Sequence, residues 1–218
     1  WIGGALALSS FFARPVGRRV ELAYVACVAV LSLSMLPALS AARLEHARLR
    51  DRLSATALVH WLDVQNDGLA GRTFTGESDR VYRVAARFRR DGRNLFADPR
   101  AALPGSRLED RFELQRSVCR GSPPWPRPLR SRNRPAARTR GWLVFPPRQR
   151  PDYVVIADAA GAIRGLGRLS ERCESGADGE RCSWLGVIAD YATSERYAAF
   201  AIRADAGTAC RLSLGDVP

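Results

Sequence analysis

The chain has 218 residues, 34 basic and 22 acidic side chains and a formal net charge of +12. Every basic residue is Arg and none is Lys, while Ala, Gly and Pro are plentiful. GC-rich codons produce that bias in any protein, so the net charge by itself does not specify a polyanionic partner. The excess is local: Arg120 to Arg150 holds nine Arg and no acid, and the other 25 Arg face 22 acids, a balance of +3.

The chain opens at Trp1 with an uncharged run of twelve residues to Phe12. At about 1.5 Å of rise per residue this is roughly 18 Å, too short to span a bilayer alone. No basic region precedes it as a signal peptide requires. It reads as the end of a preceding membrane helix, which makes the chain a C-terminal fragment. Leu22 to Ala42 then runs for 21 residues without a charge, about 31 Å of helix, close to the thickness of a hydrocarbon core. Residues 1–42 are therefore expected to be a membrane region with a span at 22–42 and the lipid bilayer as a partner. The link carries Arg14, Arg18 and Arg19 with no acid before Glu21, the kind of loop retained in the cytoplasm, which sends the rest outward. Arg43, Arg48, Arg50 and Arg52 beyond the span weaken that asymmetry.

From Arg43 to Leu62 there is no Gly or Pro, and Leu44, Ala47, Leu53, Ala57, Leu58, Trp61 and Leu62 recur near helical spacing. A juxtamembrane helix over 43–62 is expected, on or continuing from the membrane surface and ended by the Asp67-Gly68 turn. His46 and His60 fall in it, without acidic or cysteine partners at ligand spacing, and read as ordinary helix residues. Tyr82, Val84, Ala86 and Phe88 alternate with Arg83, Ala85, Arg87 and Arg89 before Asp91-Gly92, which predicts a strand and a turn. Arg107 to Arg116 fits a strand or a short helix.

Within 119–151, Pro123, Pro124, Pro126, Pro128 and Pro135 interrupt the Arg-rich run, predicting a loose loop; the alternatives are an anionic surface contact, nucleic acid or a reading-frame error. No aromatic RNA motif is present, so nucleic acid is not expected as a partner. Further strands are predicted at Trp142 to Phe145, Tyr153 to Ala157, Ile163 to Leu169, Trp184 to Ala189, Tyr197 to Arg203 and Cys210 to Leu214. Asp158-Ala-Ala-Gly161 and Asp205-Ala-Gly207 serve as hairpin turns. Short strands without alternating helices predict that 63–218 is a β-rich domain, an antiparallel sandwich or barrel.

Cys27 lies in the uncharged stretch, and Cys119, Cys173, Cys182 and Cys210 follow it. An even set suits two disulfides in an oxidising compartment, the alternative being four reduced cysteines in the cytosol. Of three possible pairings, Cys173–Cys182 with Cys119–Cys210 is favoured: the first closes a Gly- and Asp-containing loop and the second ties the basic loop to the final strand.

Chemical motifs are sparse. Asp63-Val-Gln-Asn-Asp67-Gly68 resembles the start of an EF-hand loop but fails at Gln65 and at Phe74, where a bidentate Glu belongs. No zinc spacing, phosphate loop, Gly-x-Ser-x-Gly or Ser-x-x-Lys occurs, so no catalytic, metal or cofactor residue is assigned. Glu109/Asp110 and Asp178/Glu180 sit beside Arg and read as solvated ion partners. Trp125, Trp142, Trp184, Tyr191 and Tyr197 could form a platform for sugar rings. Trp142, Trp184 and Tyr197 are expected in the core, and Trp125, between prolines, is expected exposed as a possible glycan contact.

Leu22–Ala42, Asp158 through Gly165, and Trp184-Leu-Gly186 through Cys210-Arg-Leu212 together resemble the tail of bacterial polytopic inner-membrane proteins with extracytoplasmic C-terminal β-domains. Lipid-linked-sugar glycosyltransferases of the cell envelope are among these. The resemblance implies an accessory domain serving envelope glycan transfer, with a glycan or lipid-linked sugar and other envelope proteins as partners. Any transferase activity would then reside in a missing N-terminal part. The alternative is a non-enzymatic, membrane-tethered envelope protein whose β-domain binds a protein.

Overall fold

The computed structural model describes residues 41–42, 45–46, 53, 56–68, 78–117 and 119–214. The chain divides into two compact units, Trp1–Arg50 and Asp51–Pro218. In the first, only residues 41–42 and 45–46 are described, and all four are helical. The run Trp1–Phe12 and the expected span at 22–42 therefore lie outside the described residues, apart from Ala41 and Ala42. Among the described residues no helix is long and apolar enough to cross a membrane. The expected fold, a membrane helix followed by an antiparallel sandwich or barrel, is corrected to one mixed β-sheet with short helices against it.

The sheet has nine strands: β1 (Glu113–Leu114), β2 (Cys119–Arg120), β3 (Arg127–Leu129), β4 (Ala136–Phe145), β5 (Tyr153–Ala157), β6 (Ile163–Gly176), β7 (Gly179–Ala189), β8 (Ala198–Arg203) and β9 (Thr208–Ser213). Their order is β1-β9-β8-β5-β6-β7-β4-β3, with β2 also on β9. The long ladders are antiparallel, but β1 and β2 both run parallel to β9, which a wholly antiparallel fold lacks. β2 leads into Gly121, which bridges to Leu143 of β4 and donates its N–H to Ser213 O of β9 at 2.8 Å. β9 and β4 stand five places apart, roughly 24 Å in a flat sheet at about 4.8 Å per strand. Since both bond to one segment, the sheet curls until its two sides meet across β2. A Cβ on Gly121 would lie 2.8 Å from Trp142 O, so only glycine fits this closure.

Curling creates two cores. Inside it, Ala137 and Leu143 of β4 meet Val154, Ile156, Trp184, Ile188, Ala201 and Leu212. On the opposite face Leu58, Val59, Leu62, Val64, Leu103 and Leu108 cover Val155, Leu166, Val187 and Ile202. β5, with both faces covered, is buried at every residue, which explains its unbroken Tyr-Val-Val-Ile-Ala sequence. Val154, Val155 and Ile156 each contribute about 1.5–3 kcal/mol by leaving water.

Three local expectations are revised. Residues 56–61 are helical, but their apolar side covers the sheet rather than facing a membrane. The helix also ends earlier than Asp67-Gly68, because Asp63 adopts φ 55° while Val64 N–H reaches Val59 O and Asp63 N–H reaches His60 O, the paired bonds of a left-handed C-cap. Ser78–Arg90, read as a strand in its middle, is the helix α1. Asp79 in its first turn and Arg87, Arg89 and Arg90 in its last complement the helix dipole. The Asp91-Gly92 pair is its cap, with Gly92 at φ 60° and Arg93 N–H on Phe88 O. The apparent alternation concealed a helical stripe in which Tyr82 is buried and Ala85, Phe88 and Arg89 are partly covered. Arg107–Arg116, expected as a strand or a short helix, holds a turn closing on Leu108 and then the two-residue strand β1.

The Arg/Pro segment is not a loose loop. It supplies β2, β3 and β4, and two of its Arg side chains anchor the stretch between β3 and β4: Arg132 to Asp67 and Asp79 (2.6 and 2.5 Å), and Arg134 to Leu62 O (3.0 Å) and Asp190 (2.9 Å). Asn133 Oδ1 accepts from Gln65 N–H at 2.9 Å. The turn between β5 and β6 is built on Asp158, whose carboxylate accepts from the Ala160 and Ala162 N–H groups and from Arg164 Nε (3.0, 2.9 and 2.8 Å). Burial opposes its charge, yet these hydrogen bonds hold the carboxyl below the usual range.

Candidate ligand groove

The groove starts from two disulfides, Cys119–Cys210 and Cys173–Cys182. Cys119–Cys210 (Cα–Cα 5.6 Å) binds β2 to β9. Cys173–Cys182 (Cα–Cα 4.4 Å) joins directly opposed residues of β6 and β7, at the spacing of a non-hydrogen-bonded antiparallel pair.

From β2 the chain continues through Ser122 to Trp125. Ser122 is clamped to β4 in both directions: its N–H donates to Trp142 O (2.8 Å), and its Oγ accepts from Trp142 N–H (3.0 Å). Pro124 and Pro126 restrict the backbone on either side of Trp125. The ring is therefore presented on a stiff segment, 62% exposed. Trp142 is half-buried with the Arg181 guanidinium 4.4 Å from its ring centroid, a cation–π contact across adjacent strands. Beneath lies Gly141, where a Cβ would meet Ser122 Oγ at 2.4 Å and the Trp184 ring at 2.6 Å. The absent side chain lets the floor pack on the core.

Ser122, Trp125, Arg140, Gly141, Trp142, Glu174, Arg181 and Ser183 line an open groove of about 410 Å³. It offers an exposed aromatic face, a second aromatic wall, two guanidinium groups, a carboxylate and two hydroxyls. That set can stack on a ring and hydrogen-bond the polar groups at its edge.

The sequence-derived residues distribute unevenly here. Trp125 is exposed and lines the groove, and Trp184, 2% exposed, is core. Trp142, expected in the core, is instead a groove wall, because it shares the outward face of β4 with Arg138 and Arg140. Tyr197, also expected in the core, is half-exposed. It stacks with Tyr191 at 5.7 Å and donates to Glu195 at 2.8 Å, away from the groove lining. Burial, with Glu195 beside it, pushes its hydroxyl pKa up to about 12. Arg140, Glu174, Arg181, Ser122 and Ser183 were not singled out from the sequence. Only Arg140 carried a signal, the period-two pattern Arg138-Thr-Arg140-Gly-Trp142, which places three polar or amphipathic side chains on one face.

The EF-hand-like segment runs from the helix cap at Asp63 to helical residues at Asp67 and Gly68, its Asp63 paired with Arg89 at 2.6 Å and its Asp67 with Arg132. A second depression, about 470 Å³, borders Trp61, Leu95, Asp98, Arg100 and Tyr153. Its charges are spent on each other: Asp98 accepts two hydrogen bonds from the Arg100 side chain, one of them 2.8 Å long, and is held below the usual carboxyl range by them. The guanidinium packs 4.8 Å from the Trp61 ring centroid. Compared with protein families, with curated proteins and with solved structures, the chain matches none.

Proposed function

We propose that Asp51–Pro218 is a non-catalytic binding domain of an oxidising, extracytoplasmic compartment whose groove holds a carbohydrate. This is the accessory role that service to envelope glycan assembly calls for. The observation that carries the reading is Trp125, an exposed indole held rigid between prolines and facing a groove that also holds Trp142, two Arg and Glu174. Indole faces suit the C–H faces of pyranose rings, while guanidinium, carboxylate and hydroxyl groups suit sugar hydroxyls. Two disulfides favour an oxidising compartment. Docking of a protein partner by strand addition is disfavoured, since the terminal strands of the sheet order are the two-residue β1 and the three-residue, Pro-containing β3.

The test is glycan binding by the full chain on an oligosaccharide array spanning neutral and acidic chains. Trp125→Ala is expected to weaken binding about tenfold with an unchanged melting temperature. Absence of any glycan binding by the wild type, or a melting temperature that collapses with Trp125→Ala, overturns it.

A further inference from the structure

We infer that the groove is built for an acidic polysaccharide, a chain bearing carboxylates on its sugars, and that Arg138 and Arg140 recognise those carboxylates. The inference rests on the carbohydrate reading above and names the class of sugar.

The groove does not end at Trp142. Arg140, Gly141 and Ser183 are shared with an adjoining depression of about 450 Å³, lined further by Arg138, Arg168, Ser170 and Leu185. The strand register fixes this arrangement. Arg138, Arg140 and Trp142 follow one another on the outward face of β4, with roughly 7 Å between successive members. Arg140 pairs with Leu185 of β7, and Leu185 pairs with Arg168 of β6, which puts Arg168 about 10 Å across from Arg140. Trp125 and Trp142 therefore head a track that continues with the guanidinium groups of Arg138 and Arg140 on β4 and Arg168 on β6, either side of Leu185 on β7.

The charges on this track are unevenly spent. Arg168 is paired with Glu171 at 3.0 Å. Among the described residues no carboxylate lies within ion-pairing distance of Arg138, Arg140 or Arg181, whereas Arg120 and Arg132 of the same segment are paired with Asp178 and with Asp67 and Asp79. Arg134, on the same segment, holds both Asp190 and a backbone carbonyl. Two exposed cations side by side repel each other, and an anion placed between them relieves that repulsion. A planar carboxylate suits the forked donors of Arg.

Other polyanions fit less well. Glu174 in the groove can accept hydrogen bonds from sugar hydroxyls, donors that the phosphodiester backbone of DNA lacks. The exposed large apolar side chains of the described residues, Leu53, Val84, Leu114, Trp125 and Leu214, include only Trp125 in the groove, so an apolar surface for insertion into lipid is lacking there.

The test uses the full chain and three matched pairs of oligosaccharides: oligogalacturonate, hyaluronan and alginate fragments, each beside its carboxyl-reduced neutral counterpart. In at least one pair the acidic chain is expected to bind about tenfold tighter than the neutral one, with the difference shrinking as salt rises. Arg138→Gln/Arg140→Gln is expected to abolish the difference. Arg83→Gln/Arg87→Gln, which removes the same charge from α1, leaves it intact, and Trp125→Ala weakens both members of the pair. Equal binding of acidic and neutral chains in every pair overturns the inference and leaves the carbohydrate reading standing; no binding of either overturns both. Binding of phosphatidylglycerol vesicles or single-stranded DNA through the same two Arg, as tightly as the acidic glycan, also overturns it.

Discussion

At its Ala136 end, the outer face of β4 meets Ala189, and Val187 and Leu166 lie one row on, all buried beneath Leu58, Val59 and Leu62. At its Phe145 end the same face carries Arg140 against Leu185 and Trp142 against Ser183, and both Arg140 and Ser183 are exposed. Backbone pairing is continuous across the two halves. What differs is whether a helix lies on top. A single strand thus supplies scaffold at one end and a binding surface at the other, because its inward face, Ala137, Thr139, Gly141 and Leu143, is anchored along the whole length.

The comparison can be broken most severely at the closure. Replacing both Cys119 and Cys210 by Ser removes a link across 91 residues, which the chain-entropy relation values at about 4–5 kcal/mol, against about 2.5 kcal/mol for the nine-residue separation of Cys173 and Cys182. Denaturant unfolding of the two double variants should preserve that order, and glycan affinity should fall with the first, since β2 positions Trp125. Under the covered half, Leu166→Ala should cost about 3 kcal/mol, read as a lower denaturation midpoint, without changing the affinity of the folded protein. If Leu166→Ala instead alters binding at full folding, the two halves are not separable.

Asp158→Asn should cost about 1–3 kcal/mol at neutral pH through its lost ion pair and turn bonds. Because the folded carboxyl sits below its unfolded value, that stabilisation is present above the ordinary carboxyl range near pH 4 and is lost as pH falls through the lower folded value. The gap between wild type and variant should close in acid; a constant gap would show that the charge is immaterial. His60 acts at higher pH. Burial, together with the Arg89 charge, lowers its pKa, so the fold favours the neutral ring, and stability should decline as pH drops below about 6.5. An imidazole midpoint at or above 6.5 by NMR would contradict this. The smallest effect on stability belongs to the open half: Trp125→Ala should change it by no more than about 0.5 kcal/mol while affecting glycan binding most.

The positions of β5 to β9 were legible because their apolar residues recur every second position or form a solid run between Gly- and Asp-containing turns. α1 was not, because Arg83, Arg87 and Arg89 happen to fall where a strand would put its polar face, and the Gly92 cap imitates a hairpin turn. β3 was hidden by Pro128 and β2 by the distance in sequence of its partner β9, just as Asp67, Asp79 and Asp190, which anchor Arg132 and Arg134 after β3, are distant in sequence. The groove was half legible. Trp125 stood out by its prolines, whereas Trp142, Arg140 and Arg181 meet only through pairing of β4 with β7, which composition does not encode.

The parallel pairing of β2 with β9 also has a consequence in time. β5–β6, β6–β7 and β8–β9 are hairpins of strands next to each other in the chain, but β2 must wait for a strand some ninety residues later before Cys119 finds Cys210. Such non-local pairing comes late because loop closure must precede its reward. The hairpins should thus form while Trp125 is still unpositioned, and the ability to bind should appear as the final kinetic event of folding, together with protection of Cys119 from alkylation.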